Sequence, residues 1–200
     1  MANRDAMDEC SLEGDGAVAS KPVLEVVPYD ARWPAAFEAE AARIRAALGR
    51  VAVRIDHHGS TAVPGLAAKP IIDIQVSVAA IEPMDFYRHP LGSIGYIHAP
   101  HPDDSFCPFF HRPDSWPHTH HVHVVCAGGA EERRTLAFRD YLRDHPEVAR
   151  EYAELKLRLA PMFSAETFAS RQAYAEAKTE FVEHVTADAV RAGYPWSLQS

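Results

Sequence analysis

Two stretches near the middle of the chain alternate apolar and polar residues, and each predicts a β-strand. In residues 51–55 and again in residues 71–78, every second position is Ile or Val. A period of two residues is typical of a strand with one buried face. Between them, residues 59–70 contain two glycines and two prolines, which predicts a loop.

Before and after these strands, some stretches have apolar residues at the spacing of a helix. Between Asp30 and Gly49 the apolar residues recur every three or four positions, and Pro34 stands near the start, which predicts a capped amphipathic helix. A second helix is predicted around residues 83–91. Short β-like pieces are predicted at residues 95–98 and 106–110, and a longer strand lies within residues 118–129.

Beyond Gly129 the pattern becomes helical. Residues 131–145, residues 146–160 and about two dozen residues from Ala165 all predict helices. Strands and helices mix first and helices follow, so the fold class is α+β with a helical C-terminal half. Residues 1–21 are acidic and rich in small residues and predict a disordered tail, residues 22–195 form one domain, and residues 196–200 form a C-terminal tail.

The composition is that of a globular domain. The 200 residues are 47% apolar and 24% charged, and the formal net charge of -8 argues against nucleic acid as the main partner. No apolar run reaches the roughly 18 residues of a membrane span, and the first residues lack the pattern of a secretory signal. Three widely spaced cysteines argue against a disulfide framework, so we expect a cytoplasmic protein.

The loop and the second strand carry candidate chemistry. Gly59 and Ser60 form a small-residue turn whose backbone N–H groups could approach phosphate oxygens, and Thr61 or Lys69 would add a hydroxyl or a charge. The alternative is a plain loop that needs glycine for its backbone angles. Asp73 lies in a strand of Ile and Val, where a carboxylate either caps a loop, pairs with an arginine such as Arg54, or binds a metal ion.

Histidines are concentrated in the predicted strand within residues 118–129. His118, His120, His121 and His123 cluster there, and His121 and His123 project from one face. Strand-borne pairs of this spacing bind Zn²⁺ or Fe²⁺. The alternative is one core histidine with solvent-facing neighbours.

The helical half supplies basic residues that could contact an anionic substrate, with Arg139 and Lys156 as candidates. Tyr152 and Lys156 are four residues apart, as are Tyr174 and Lys178, so each pair shares a helix face if the helix is continuous. The alternative is a solvated charged surface.

The runs DHHGSTAVPGLAAKPIIDIQVSV and HHVHVV, with the helical run FRDYLRDHPEVAREYAELKLRLA, resemble the GrpB family, the UPF0157 group, over residues 23–185. The resemblance implies a nucleotidyltransferase-like fold, a small mixed sheet flanked by helices. Some members of the family are fused to dephospho-coenzyme A kinase. In that comparison Gly59 and Ser60 match the phosphate-gripping turn and Asp73 matches the first metal carboxylate. Gln75 occupies the second carboxylate position without being acidic.

The resemblance and the residues together lead to one expectation and two alternatives. We expect transfer of a nucleotidyl group from ATP or another nucleotide to a small acceptor, with a divalent metal ion, either Mg²⁺ or a transition metal such as Zn²⁺, Mn²⁺ or Fe²⁺. The alternatives are a metal enzyme of another reaction class in the same cleft and a non-catalytic module that binds a nucleotide or coenzyme A. A homodimer is left open, since no coiled-coil heptad argues for one. The expected catalytic and metal-binding residues are Asp73, His121 and His123, and the expected substrate-binding residues are Gly59, Ser60, Thr61, Lys69, Gln75, Arg139 and Lys156.

Overall fold

The computed structural model describes residues 24–198, which form a mixed five-stranded β-sheet flanked by helices. The predicted α+β fold is confirmed. The predicted N-terminal tail lies outside the described residues. Within the described range, no helix combines the length and the apolar character that a bilayer crossing requires.

The strands are β1 (Ala52–His58), β2 (Ile72–Val78), β3 (Ile97–His98), β4 (Phe109–Arg112) and β5 (His120–Cys126), and their order in the sheet is β1-β2-β5-β4-β3. Strands β2 and β5 are parallel, and the other neighbours are antiparallel. The register places Asp73 opposite His121 and Gln75 opposite His123. The candidate carboxylate and the candidate histidines therefore occupy one sheet face.

The helices are α1 (Trp33–Leu48), α2 (Asp85–Ser93), α3 (Ala130–Asp144), α4 (Pro146–Leu159), α5 (Phe168–Glu176) and α6 (Thr179–Arg191). The predicted end of α1 is confirmed, because Gly49 has a φ of 53° and its N–H donates to the carbonyl of Arg45. The helical character predicted from Ala165 onward is confirmed, and it is divided between α5 and α6, which are separated by residues 177 and 178.

One face of the sheet builds the main core. Ile74 and Val76 of β2 and Val122 and Val124 of β5 are fully buried, and they belong to one apolar cluster with Ile44 of α1. Val53 is an exception to the predicted alternation, because a β-bulge between Ala52 and Arg54 shifts the register and leaves its side chain 51% exposed.

The opposite face packs against the helical half. Val63 and Leu66, from the loop between β1 and β2, are buried with Leu142 of α3, Tyr152 of α4 and Val185 of α6. Burying two such side chains contributes roughly 3–6 kcal/mol. The loop that carries the glycine–serine turn is therefore anchored by apolar packing.

The last described residues also pack on α3. Trp196–Leu198 form a single 3₁₀ turn, in which the Ser197 hydroxyl accepts a hydrogen bond from Arg139 (2.8 Å) and the Ser197 N–H donates to Asp140 (3.3 Å). Residues 196–198, which the sequence analysis assigns to a C-terminal tail, are attached to the domain in this way.

Candidate functional site

A cavity of about 180 Å³ lies where the turn after β1 meets the start of β2 and the helical half. Ser60 and Asp73 line one side of it, and Lys156 and Lys178 line another. The remaining lining residues are Gly59, Thr61, Ala68, Lys69, Ile71, His121, Phe138, Tyr152 and Tyr174. Six of the ten residues predicted for the site therefore lie beside one cavity from the turn, β2 and α4, and His121 joins them from β5.

Gly59 is required at its position for two reasons. Its φ of 68° and ψ of -170° lie in a region that only glycine occupies readily. A Cβ at this position would also lie 2.5 Å from Oδ2 of Asp73. The turn backbone therefore lies directly against the Asp73 carboxylate. Because a 3₁₀ turn starts at Ser60, its first N–H groups have no acceptor within the turn.

Asp73 contacts His121, which in turn contacts His118. Its Oδ1 lies 3.3 Å from Nδ1 of His121, and Nε2 of His121 lies 3.0 Å from Nδ1 of His118. Burial alone would raise the pKa of Asp73, but the hydrogen bond and charge of His121, with the nearby His58 and His123, hold that pKa well below its usual range. Asp73 is therefore ionised at neutral pH. The alternative pairing with Arg54 is wrong, since Arg54 pairs with Asp56 at 2.7 Å.

The ligand atoms of Asp73, His121 and His123 all lie within 4.8 Å of one another, which is close enough to share one metal ion. Burial lowers the pKa of His123 to about 4, which keeps the imidazole in the neutral form that ligates metals. A shared ion would replace the contact between Asp73 and His121, and His118 would continue to orient the His121 ring. Two imidazoles and one carboxylate suit a transition metal better than Mg²⁺.

His58 adds a second observation at the same place. Its ring lies edge-on to that of His123 with 5.0 Å between centroids, and burial lowers its pKa to about 3. Its Nε2 is buried and has no hydrogen-bond partner among the described residues. A buried polar atom without a partner is costly, so a bound ion with its water would compensate for it here. The residues present therefore fit a metal site.

Three lysines surround the rest of the cavity. Lys156 donates a 3.1 Å hydrogen bond to the Ser60 hydroxyl and a second to the Ala67 carbonyl. Lys178 lies over the Tyr174 ring at 4.1 Å from its centroid, and Lys69 lies 5.7 Å from the same centroid. Burial, followed by the charge of a neighbouring lysine, lowers the pKa of Lys156 and of Lys178 to about 7. Burial also lowers the pKa of Lys69.

Some predicted site residues have other roles. Thr61 lines the cavity, but its hydroxyl lies 3.0 Å from Nε2 of His57 and donates to the Ile71 carbonyl. Gln75 is fully buried, and its Oε1 accepts a hydrogen bond from Thr135 of α3. It does not reach the cavity, contrary to the prediction.

Arg139 is also not a substrate-binding residue in this arrangement. It is 5% exposed, and its guanidinium donates to the Asp140 carboxylate, the His57 carbonyl and the Ser197 hydroxyl. These contacts hold α3, β1 and the last described turn together. The arginine therefore stabilises the fold behind the cavity.

Lys178, Tyr152 and Tyr174 line the cavity but are not among the site residues predicted from the sequence. The sequence contains a signal for these residues, because Tyr152 and Lys156 are four residues apart, as are Tyr174 and Lys178. The pair on α4 follows that spacing on one helix. Tyr174 lies on α5, whereas Lys178 lies in the two-residue break that precedes α6, and both line the cavity.

A sequence profile described as GrpB protein matches residues 23–188. The chain belongs to the GrpB family. A UPF0157 protein of Pseudomonas aeruginosa is 41% identical to it over 180 residues, which cover 88% of this chain and 72% of that protein.

Two further GrpB relatives are informative. The crystal structure of the conserved protein GrpB from Enterococcus faecalis superimposes with a TM-score of 0.74 at 34% identity, and the match covers 84% of this chain and 98% of that one. A dephospho-CoA kinase of Mycolicibacterium paratuberculosis is 32% identical over 163 residues, which cover 70% of this chain but only 40% of the kinase. The GrpB unit is thus a self-standing chain in one relative and part of a longer protein in the other.

Proposed function

We propose that this GrpB family member binds the phosphate chain of a nucleotide in the 180 Å³ cavity, next to a divalent metal ion, and transfers a nucleotidyl group to a small acceptor. The observation that carries the proposal is the convergence of Lys69, Lys156 and Lys178 on the turn beside Asp73. Asp73 is the one carboxylate among the described residues that line the cavity, so the lining carries an excess of positive charge.

The buried lysines support an anionic ligand on energetic grounds. A pKa of about 7 means that keeping Lys156 or Lys178 protonated costs free energy in the empty protein. A bound phosphate would compensate for this cost, because charge-assisted hydrogen bonds contribute about 1.5–3 kcal/mol each. Two or more cations at one small cavity fit a di- or triphosphate better than a single carboxylate ligand.

The turn and the metal site assign roles to the other residues. The N–H groups at Ser60 and the Ser60 hydroxyl would hold phosphate oxygens, and Gly59 allows these oxygens to approach. Asp73, His121 and His123 would hold the ion, which supplies Lewis-acid stabilisation of charge on the transferred phosphoryl group. Since Gln75 is neutral and covered by Thr135, the site supports one ion rather than two.

The proposal is tested by turnover and by binding together. The protein is incubated with a panel of nucleoside triphosphates, Mn²⁺ or Mg²⁺, and a set of small alcohols and amines, and pyrophosphate release is followed. Asp73→Asn should abolish release. The matched control is Asp114→Asn, which changes an exposed aspartate between β4 and β5.

Two results would separate the alternatives. Tight nucleotide binding with no pyrophosphate release by any acceptor would favour the non-catalytic nucleotide or coenzyme A module. Turnover that persists in Asp73→Asn, or a failure of every polyphosphate to bind, would refute the proposed function itself.

A further inference from the structure

A second and larger pocket adjoins the cavity. Its volume is about 510 Å³, and it shares Lys69 and Ile71 with the smaller cavity. A ligand could therefore occupy both, with one end at the lysines and the other in this pocket. Its volume lies within the range of small-molecule sites, roughly 300–1,000 Å³.

The walls of this pocket are flat and apolar. Trp116 supplies an indole ring, and Pro70 and Pro117 supply ring surfaces. Arg171 lies over the indole with its guanidinium carbon 4.5 Å from the ring centroid, and it donates a 2.7 Å hydrogen bond to the Ala165 carbonyl. Arg171 does not line the pocket, and its contact helps to hold the ring in position, whereas Nζ of Lys69, which does line the pocket, lies 5.9 Å from the same ring centroid. Such a surface suits a planar ring that stacks.

Two carboxylates complete the pocket. Glu25 and Glu166 line it, both residues are exposed, and neither forms an ion pair within residues 24–198. A carboxylate accepts hydrogen bonds and does not donate them at neutral pH. The pocket therefore combines a stacking surface with acceptors. This combination suits a ring that carries an amino group better than uracil, whose one ring N–H is flanked by two carbonyl oxygens that a carboxylate repels.

We infer that the larger pocket binds the base of the nucleotide, and that it selects bases with an exocyclic amino group, namely adenine, cytosine or guanine, over uracil. The base stacks on Trp116, and its amino group donates to Glu25 or Glu166. Lys69 lies at the boundary, where the sugar meets the phosphates. This inference rests on the proposed function, because it places the phosphates at the three lysines.

The test separates the base from the phosphates. Calorimetry with Mn²⁺ measures the affinity for ATP, UTP and inorganic tripolyphosphate. Trp116→Leu should weaken ATP binding on the order of tenfold, the usual size of base stacking, and leave tripolyphosphate within about twofold. The control is Trp196→Leu, since that tryptophan is half exposed and lies in the last described turn.

A second pair of variants does not depend on the indole. In the wild type, ATP should bind on the order of tenfold more tightly than UTP, and the double change Glu25→Gln with Glu166→Gln should reduce that preference. Exposed Glu154→Gln on α4 is the control.

The outcomes distinguish a failure of the base pocket from a failure of the phosphate site. If tripolyphosphate binds as tightly as ATP, or if Trp116→Leu weakens both equally, the base pocket is refuted and the phosphate site stands. If ATP and UTP bind equally and the double variant changes nothing, the selectivity is refuted. If neither ATP nor tripolyphosphate binds the wild type, the proposed function fails and the inference fails with it.

Discussion

Lys156 provides a quantitative test of the cavity, because its charge is buried without a carboxylate in contact. Its side chain is 3% exposed, and burial, with a smaller effect of the Lys178 charge, lowers its pKa from 10.5 to about 7. In the unfolded chain the pKa returns to its ordinary value. Between pH 7 and pH 10.5 the unfolded chain therefore binds more protons than the folded one. The contribution of Lys156 to stability therefore rises with pH in that window.

The size of the effect follows from the two pKa values. The Lys156 contribution costs about 4 kcal/mol of stability at pH 7 and about 2 kcal/mol at pH 9, so its part of the rise is about 2 kcal/mol. In Lys156→Met the titrating group is gone. We expect the free energy of unfolding to rise between pH 7 and pH 9 by about 2 kcal/mol less in this variant than in the wild type.

Urea unfolding at pH 7, 8 and 9 measures this difference. Arg158→Met is the matched control, because it removes one positive charge from the exposed side of the same helix and should retain the wild-type slope. Saturating pyrophosphate should flatten the wild-type slope, because a bound anion keeps the lysines protonated at higher pH. Equal slopes for Lys156→Met and the wild type would refute the claim that this charge is buried at a cost.

Three other variants test separate parts of the site. Gly59→Ala should lose Mn²⁺ and tripolyphosphate binding and should lower the free energy of unfolding by about 1–3 kcal/mol. The control Gly65→Ala changes a glycine that also has a positive φ but has open space around it, and it should retain binding. Equal binding losses in the two variants would contradict the clash with Asp73. His123→Gln should remove most of the Mn²⁺-induced rise in melting temperature, and an unchanged rise would exclude His123 as a ligand. Arg139→Met should destabilise the fold by about 3–5 kcal/mol, because Asp140 loses a buried partner. The tripolyphosphate affinity of the folded variant should stay within about twofold of the wild type. A loss of affinity without a loss of stability would show that Arg139 belongs to the binding site.

Local pattern predicted the strands well, because an alternation such as that of β2 reflects burial of one face and needs no knowledge of the partner strand. The alternation does not predict which strand pairs with β2. Strand β5 pairs with β2 although β3 and β4 lie between them in the chain. The proximity of Asp73 to His121 therefore depends on a long-range strand pairing that the spacing of residues alone does not encode.

The alternation also predicted which residues share a strand face, but not which element covers that face. Asp73 and Gln75 point to the same side, as alternation requires, yet only Asp73 reaches the cavity, since α3 covers Gln75 through Thr135. For basic residues on helices, the sequence likewise does not indicate what surrounds each side chain. Arg139 and Lys156 look equivalent in the sequence, but Arg139 is enclosed by acceptors from the protein, and Lys156 faces the turn.

The coverage of Gln75 bears on why the site has a single carboxylate. Its side chain is fully buried, and its Nε2 has no hydrogen-bond partner within the described part of the chain. A glutamate there would be a buried charge in contact with one hydroxyl, and a buried charge without a cation nearby is strongly unfavourable. A second metal ion would have to displace Thr135 of α3 to compensate for it. The neutral residue at position 75 and the close packing of α3 are therefore one structural solution. Under the proposed function, two histidines from β5 would complete the coordination of an ion at Asp73.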